Sequence, residues 1–275
     1  MPRDLICLRG RLLAPSGPCR MPVPAGRRRL LPMLSLLLLL LPGLQAARAH
    51  DLKVVTEEYP PYNLVENGKV TGFSTEVVEA VLKELGLAVP IQVMPWARAY
   101  DVARNADNVL IYSIARTPER EKLFKWVGVV APSEWALYAM RSSSIKLQTL
   151  DDARKYQIAT VNEDVGEQFL VSKGFVIGKN LQSSNKYEFN YDKLKVGRVD
   201  LWVANDLVAH HLVRRDGGDP AQLLARTLAL PDLGGPGLYM AFGAKTSDAM
   251  VERFKKGLET IKKNGKYEAL KKKWL

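Results

Sequence analysis

The sequence predicts an α/β protein of two lobes, because short apolar strands alternate with helical segments and this alternation occurs twice along the chain. The first series lies between residues 52 and 114, and the second lies between 149 and 215. The segment Ala131–Met140 separates them, and an apolar strand near Leu238–Phe242 leads back to the first series. We therefore expect two strands to cross between the lobes, although spacing alone also permits one continuous sheet.

The first series begins with a strand that ends at Pro60 and Pro61, because proline cannot continue the pairing of a sheet. Apolar residues then recur at helical spacing after Ser74, a residue type that caps helices, and Gly86 ends that pattern. The expected elements are a strand over 52–56, a helix between Ser74 and Gly86, a strand over 91–94, a helix over 96–104 and a strand over 109–114. Such alternation predicts a parallel sheet.

The second series repeats the alternation with different residues, and two tail helices follow it. Its expected elements are a helix opened by Thr149 and Asp152, a strand over 157–161, a helix begun by Asp164 and Glu167, a strand over 199–204 and a helix over 206–215. Gly265 divides the helical tail, whose apolar stripes we expect to pack on the first lobe.

The first 49 residues predict a cleavable signal peptide. Arg27–Arg29 precede the apolar run 30–41, and Ala47-Arg48-Ala49 supplies the small residues of a cleavage site after Ala49. The alternative is a membrane anchor, but the apolar run falls short of the roughly 20 residues that span a bilayer. The mature chain is therefore expected in the periplasm, and translation starting at Met21 instead of Met1 stays open.

Charge and cysteine content exclude several classes of protein. The formal charge is +11, but eight Arg and one acid lie in residues 1–49, so the remainder carries only +4 and a nucleic-acid partner is not expected. Both cysteines, Cys7 and Cys19, lie in the same leader. The mature protein therefore has no disulfide, thiolate metal site or cysteine nucleophile. We expect no metal and no other cofactor, and we expect a monomer.

Arg120 and Ser113 are candidates for binding an anion. Thr117 suits a helix cap and Pro118 suits the first helical position, which places Arg120 in the first turn, where the helix dipole disfavours a cation. A guanidinium so placed is suited to hold a carboxylate through two parallel hydrogen bonds. Ser113 ends a strand, where α/β sheets bind ligands. The alternative is that Arg120 forms a surface ion pair.

Tyr59, Tyr62 and Trp96 form a second candidate group, because all three lie at strand ends or in the loops that follow. They predict an aromatic wall that holds an apolar body or an ammonium group, and the alternative is ordinary core packing. The sequence contains no Gly-x-Ser-x-Gly, His-Glu-x-x-His or Cys-x-x-Cys motif, so no catalytic residue is assigned.

Several segments, in this order and spacing, resemble the bacterial family 3 solute-binding proteins, the periplasmic receptors typical of polar-amino-acid ABC transporters. The resemblance covers nearly all of residues 52–275. It is carried by Tyr59-Pro60-Pro61-Tyr62, Gly72-Phe73, Arg116-Thr117-Pro118-Glu119-Arg120, Phe124-Lys125-Trp126, Gly197-Arg198-Val199-Asp200 and the ending Asn264-Gly265-Lys266-Tyr267 through Lys273-Trp274. The resemblance implies the type II periplasmic-binding-protein fold, with lobe one over 50–137 and 238–275, lobe two over 138–237, and two hinge strands.

The resemblance also implies a set of ligand-binding residues. Arg120 matches the arginine that holds the ligand α-carboxylate, Ser113 matches a polar ligand contact, and Tyr59 and Trp96 match pocket walls. Two departures from the family pattern concern the residues that would bind the amine of the ligand. Many relatives place Asp where this chain has Asn205 followed by Asp206, and relatives have small residues where this chain has Glu163-Asp164. We therefore expect an ammonium to face Asp164 or Asp206, and a carboxylate ligand without an amine stays open.

The resemblance implies a periplasmic protein that captures a carboxylate-bearing solute, expected to be an amino acid, for ABC-type uptake through an inner-membrane permease. Two alternatives stay open. Cyclohexadienyl dehydratases resemble the same family, and Glu163 or Asp164 would then act as the acid or base. The protein would otherwise present its ligand to a separate sensor. The sequence names neither the ligand nor a permease.

Overall fold

The computed structural model describes residues 52–275 and contains two five-stranded sheets with helices packed against them. The predicted signal peptide and the cleavage site after Ala49 lie outside the described residues. We call each five-stranded sheet with its helices a lobe. Within the described residues, none of the helices combines the length and the apolar character needed to cross a bilayer.

The strands and helices follow in chain order. The strands are β1 (Lys53–Thr56), β2 (Leu64–Glu66), β3 (Lys69–Thr71), β4 (Ile91–Val93), β5 (Val109–Ala115), β6 (Phe124–Ala131), β7 (Trp135–Met140), β8 (Ile158–Val161), β9 (Leu181–Ser184), β10 (Leu201–Asn205), β11 (Leu224–Ala229) and β12 (Leu238–Gly243). The helices are α1 (Phe73–Glu84), α2 (Trp96–Asn105), α3 (Val165–Ser172), α4 (Tyr187–Lys195), α5 (Asp206–Arg215), α6 (Pro220–Leu223), α7 (Pro231–Gly234), α8 (Asp248–Lys263) and α9 (Lys266–Trp274).

Lobe one has a mixed sheet with the strand order β4-β1-β5-β12-β6. β1 runs parallel to β4 and β5, whereas β12 runs antiparallel to β5 and β6. The parallel pairing predicted for the strands of the first series is therefore confirmed, and β12, which returns from lobe two, enters between β5 and β6 in the opposite direction. The predicted alternation of strands and helices from β1 to β5 is confirmed.

Lobe two has the strand order β11-β7-β10-β8-β9. β8 runs parallel to β9 and β10, and β7 runs antiparallel to β10 and β11. Helices α3 and α4 pack on β8, and α5 packs on β10. Helix α5 begins directly after β10, and α3 and α4 begin three or four residues after β8 and β9. The N-termini of all three helices therefore lie at the same end of the sheet. This end of lobe two is therefore built from loops and helix starts.

The central strands of lobe one are apolar because both of their faces are covered. Every residue of β5 and of β12 is buried, which is why each is a nearly continuous hydrophobic run. Helix α8 packs on β6 and on α1, and the ring of its Phe254 lies 5.0 Å from the ring of Phe242. The helical tail thus packs against lobe one, as its apolar stripes predict.

The chain passes between the lobes twice, through the segments 132–134 and 235–237. β6 and β7 flank the first crossing, and β12 follows the second. Gly237 is needed in the second crossing because its φ is 137° and a Cβ atom there would overlap the carbonyl of Ala131. β7 spans the predicted lobe boundary at residues 137 and 138, and that division of the chain stays a prediction.

Two predicted helices differ from the observed structure. Residues 118–123 form consecutive turns instead of a helix, because β6 must begin at Phe124 to pair with Gly243 of β12. Thr117 still caps the first turn, since its hydroxyl accepts from the Arg120 backbone N–H at 3.4 Å. The helix expected at Thr149 is a five-residue 3-10 helix over Asp151–Lys155.

Candidate ligand-binding site

Arg120 lies between the two lobes and is 1% exposed. On the side of lobe one, its Nη1 donates to the Ala115 carbonyl at 3.2 Å. On the side of lobe two, Nε and Nη2 both donate to the Oε1 atom of Gln168, at 3.1 and 3.0 Å, and Nη2 also reaches the Glu163 carbonyl at 3.4 Å. The predicted anion-binding arginine is therefore buried, and the alternative of a surface ion pair is excluded.

Two aromatic rings of α2 hold the guanidinium of Arg120 in place. Its central carbon lies 5.3 Å from the ring centre of Trp96 and 5.0 Å from that of Tyr100. The indole Nε1 of Trp96 also donates to the Glu163 carbonyl of lobe two at 2.8 Å. Trp96 thus packs on the cation and joins the lobes, and such stacking stabilises a desolvated guanidinium by about 2 kcal/mol.

Ser113 and Glu163 both have left-handed backbones, with φ of 61° and 60°. Ser113 is an extra residue in β5, because the partners of β12 change there from Ile114 to Tyr112. Its hydroxyl donates to the Asn63 side chain at 2.6 Å. The turn at Glu163 directs its carbonyl toward Trp96 and Arg120. Strained non-glycine residues concentrate at functional sites, and these two lie on facing lobes.

Two carboxyl groups from different lobes meet at one tyrosine. The Tyr187 hydroxyl lies 2.8 Å from Oδ2 of Asp164 and 3.3 Å from Oε1 of Glu57, and both acids are buried. The single hydroxyl proton of Tyr187 is shared between these two acceptors, and the contact with Glu57 is the longer one. Burial raises the pKa of Glu57 well above its usual range, and the neighbouring Asp164 raises it further.

The pKa of Asp164 is subject to opposing influences. Burial raises its pKa to about 6, although the nearby Arg120 and the hydrogen bond from Tyr187 both oppose that rise. Its Oδ1 also accepts from the Val165 backbone N–H at 2.6 Å and so caps α3. A carboxyl group with a pKa near neutrality changes its charge readily when a cation arrives.

Tyr59 is the centre of an aromatic cluster and is 1% exposed. Its ring lies 4.6 Å from Tyr187, 5.3 Å from Tyr62 and 6.5 Å from Trp135. Within residues 52–275 its hydroxyl has no hydrogen-bond partner. Burial raises the pKa of this hydroxyl, and the next largest cause is Asp164, so the free hydroxyl lies near the acids and remains available as a donor.

Asn205 and Asp206 lie at the first crossing between the lobes. Asn205 is fully buried; its Oδ1 caps α5 and accepts from the Tyr62 hydroxyl at 3.1 Å, and its amide donates to Ser133 at 3.0 Å. Asp206 pairs with Arg226 at 3.0 Å through Oδ2, whereas its buried Oδ1 is not hydrogen-bonded in the part of the chain described. Asn205 is thus engaged by protein groups, and Asp206 keeps one free oxygen.

A cavity of about 350 Å³ lies beside this arrangement and is bounded by both lobes. Lobe one contributes Thr117–Glu119, and lobe two contributes part of α3, including Gln168, together with Leu233 of α7. A cleft of about 460 Å³ around Trp126 involves lobe one alone. Gln168 lines the smaller cavity and also contacts the guanidinium of Arg120, although Arg120 itself does not line that cavity.

Five residues of the site are absent from the sequence predictions: Glu57, Tyr100, Trp135, Gln168 and Tyr187. Glu57 follows β1 directly, so its position at a strand end is a signal that points to it. Gln168 follows the cap residue Asp164 by four positions and therefore lies one turn along the same helix face. No local pattern marks Tyr187 or Trp135, since only the closing of the lobes brings them to Tyr59.

The free energy of unfolding should fall as the pH rises toward about 6. The folded pKa of Asp164 lies above its ordinary value, so the folded protein binds more protons than the unfolded chain in this range. Relative to Asp164→Asn, the wild type should lose ~2 kcal/mol between about pH 4.5 and pH 7. Urea unfolding of both proteins measures this difference. Parallel pH profiles would contradict the burial of an ionisable carboxyl group at this position.

A family model described as bacterial extracellular solute-binding proteins, family 3, matches residues 52–275. The chain belongs to this family. The predicted resemblance is thereby confirmed. This solute-binding protein is 22% identical over 237 residues to the arginine-binding extracellular protein ArtP of Bacillus subtilis (strain 168), covering 84% of this chain and 88% of that protein. It is 24% identical over 243 residues to the arginine-binding periplasmic protein of Mannheimia haemolytica, covering 88% and 98%.

Solved structures agree with the two-lobed fold of the solute-binding protein. A histidine kinase sensor domain with similarity to periplasmic binding proteins has a TM-score of 0.72 and 23% identity, over 82% of this chain and 97% of that one. An ancestral arginine-binding protein bound to arginine has a TM-score of 0.70 and 24% identity over the same shares. At these identities the likeness shows the fold alone, and it confirms the predicted periplasmic-binding-protein class.

The names of the relatives bear on catalysis. The proteins of Bacillus subtilis and Mannheimia haemolytica are both named as binding proteins, and so is the L-cystine-binding protein TcyJ of Escherichia coli (strain K12), at 21% identity. None of these names is that of an enzyme. The family and the names of these relatives agree with the prediction of a binding protein.

Proposed function

We propose that this solute-binding protein captures an amino acid between its lobes, with the α-carboxylate held by Arg120. The observation that carries the proposal is the set of acceptors around the buried guanidinium. They are the side-chain amide of Gln168 and the carbonyls of Ala115 and Glu163, all of them neutral oxygens. A buried cation is strongly stabilised by an anion in hydrogen-bond contact, and a ligand carboxylate supplies one.

The proposed amino acid carries a cationic side chain. Arg120 contributes one positive charge to the site, while Glu57 and Asp164 contribute two carboxyl groups. A ligand with one carboxylate and two cationic groups leaves these three groups neutral when both acids ionise, whereas a neutral amino acid leaves them neutral only while one of the acids stays protonated. The names of two relatives, which are arginine-binding proteins, support this choice.

The other predicted residues surround the proposed site or support it. Tyr59 and Trp96 form its aromatic walls, and the free hydroxyl of Tyr59 is a donor for the ligand. Ser113 holds the loop after β1 through Asn63. Asn205 and Asp206 lie at the crossing, where the free oxygen of Asp206 is an acceptor for an ammonium group. The ligand thus contacts both lobes only when they are closed, so its binding favours closure.

The cellular setting completes the proposal. The signal peptide over 1–49 exports the chain to the periplasm, where the monomeric protein passes its ligand to an inner-membrane ABC permease. The arginine-rich start of the leader and the small residues before its end support export. The family to which the chain belongs supports transport.

Isothermal titration of the purified protein tests the ligand class. We expect L-arginine and L-lysine to bind at least about tenfold more tightly than L-glutamine, because an unpaired buried carboxylate costs more than 1.4 kcal/mol. L-glutamate should not bind. Agmatine is the matched control, since it keeps the guanidinium of L-arginine and lacks the carboxylate, and it should bind far more weakly. Binding of simple organic acids in preference to amino acids would contradict the proposal.

A further inference from the structure

Gln168 makes the contact that a carboxylate would be expected to make with Arg120. Its Oε1 accepts from Nε and from Nη2, the two N–H groups along one edge of the guanidinium, at 3.1 and 3.0 Å. Carboxylates prefer to bind arginine along such an edge. The Nε2 atom of Gln168 donates to Oε2 of Glu163 at 3.1 Å, which fixes the orientation of the amide. The amide oxygen thus occupies the position that one oxygen of a ligand carboxylate would take.

The remaining hydrogen bonds of Arg120 leave little room for a second acceptor. A guanidinium has five N–H groups. Four donor contacts run from Nε, Nη1 and Nη2 to Gln168, Ala115 and Glu163. The rings of Trp96 and Tyr100 lie within 5.3 Å of the central carbon. A ligand carboxylate therefore reaches the Nε–Nη2 edge only after the amide of Gln168 has left it.

Gln168 has a space into which it can move. It lines the cavity of about 350 Å³ that lies between α3 and the turn at Thr117–Glu119. Gln168 also belongs to the half-buried residues of α3, so its side chain is not enclosed by core packing. A rotation about its side-chain bonds exchanges the contact with Arg120 for a position in the cavity, without any change in the helix backbone.

We propose that Gln168 is an internal competitor of the ligand carboxylate, which holds the Nε–Nη2 edge of Arg120 and swings into the cavity when the carboxylate binds. Gln168 thereby sets the affinity of the site. A neutral amide accepts more weakly than a carboxylate, so it is displaced by a charged ligand but not by a neutral one. This inference rests on the proposed function, which assigns the ligand carboxylate to Arg120.

Titration of two Gln168 variants with L-arginine tests the competition. In Gln168→Ala no protein group has to leave the guanidinium edge, so the affinity should rise about tenfold, the value of one hydrogen bond to a charged group. In Gln168→Glu an internal carboxylate takes the edge, and the affinity should fall about a hundredfold. Gln182→Ala is the matched control, because Gln182 bonds Gln157 and the Arg198 carbonyl, away from Arg120. Unchanged or weaker binding by Gln168→Ala would overturn the inference.

A ligand-independent measurement separates this inference from the proposed function. In the ¹⁵N spectrum of the protein, the Arg120 Nε–H signal should be protected from exchange by Gln168. It should shift and lose protection in Gln168→Ala but not in Gln182→Ala, and addition of L-arginine should move it in the wild type. An Arg120 signal insensitive to Gln168→Ala overturns the inference. A wild type that gives no heat with any amino acid overturns the proposed function instead, while the comparison of spectra still decides the role of Gln168.

Discussion

Replacing Arg120 with alanine should reduce the affinity for L-arginine by about a thousandfold, because truncating one partner of a buried, hydrogen-bonded charge pair costs several kcal/mol. The same change leaves Glu57 and Asp164 without the cation that opposes the rise of their pKa. Isothermal titration measures the loss, and circular dichroism establishes that the variant is folded.

A lysine variant separates the effect of charge from that of geometry at residue 120, and an alanine variant at Arg116 is its control. Arg120→Lys keeps the charge but loses the planar fork, so its affinity should fall between those of the wild type and the alanine variant. Arg116→Ala is the matched control, since Arg116 pairs with the exposed Glu121 and stacks on Trp126 instead of facing lobe two. Its affinity should stay within about threefold of the wild type. Equal losses at both arginines would refute the assignment of Arg120.

Replacing Asp164 with asparagine should abolish the preference for cationic ligands. The affinity for L-arginine should fall about a hundredfold, whereas the affinity for L-glutamine should change less than tenfold, because only the cationic ligand loses a buried ion-pair partner. Glu57→Gln should act in the same direction. Asp192→Asn, on the exposed face of α4, is the matched control. Equal effects on both ligands would show that Asp164 has only a structural role as the cap of α3.

The pH dependence of binding gives a second readout of the same acids. The proposed ligand cation requires an ionised Asp164, whose pKa burial raises to about 6, so the affinity for L-arginine should increase as the pH rises from about 5 to 7. Binding near pH 6 should release about half a proton from Asp164, which titrations in buffers of different ionisation enthalpy detect. The increase between about pH 5 and 7 should become smaller in Asp164→Asn, where only Glu57 is left to ionise. A wild-type affinity that is constant across this range would refute the coupling.

The fold was largely predictable because its signals are local. Strand β1, helix α1, helix α2 and helix α5 agree with their predicted ranges to within about two residues, since apolar spacing and breakers such as Gly86 depend on nearby positions. The prediction of a helix after Thr117 was wrong for a non-local reason. Pairing of Phe124 with β12 draws the chain into a strand, and this partner lies more than one hundred residues further along.

The site was predictable only in part. Arg120 stands out because it conflicts with the helix dipole, Asp164 because it departs from the family pattern, and Trp96 because it follows a predicted strand. Nothing in the local sequence distinguishes Gln168 or Tyr187. Gln168 contacts Arg120 and Tyr187 contacts Glu57, in each case across the two lobes. A sequence pattern reports on neighbours within a turn or a strand, so contacts across the lobe interface leave little trace in it.

The family resemblance and the two α/β series could be recognised from the amino-acid sequence, because helix periodicity, strand length and turn chemistry are properties of adjacent residues. The antiparallel entry of β12 into the first sheet, the two carboxyl groups at the hydroxyl of Tyr187 and the contact of Gln168 with Arg120 could be seen only in the folded protein. These features depend on which surfaces meet when the lobes close, and on the burial that results. Burial, in turn, raises the pKa of Asp164 and is the physical reason why we expect the charge of the site to select its ligand.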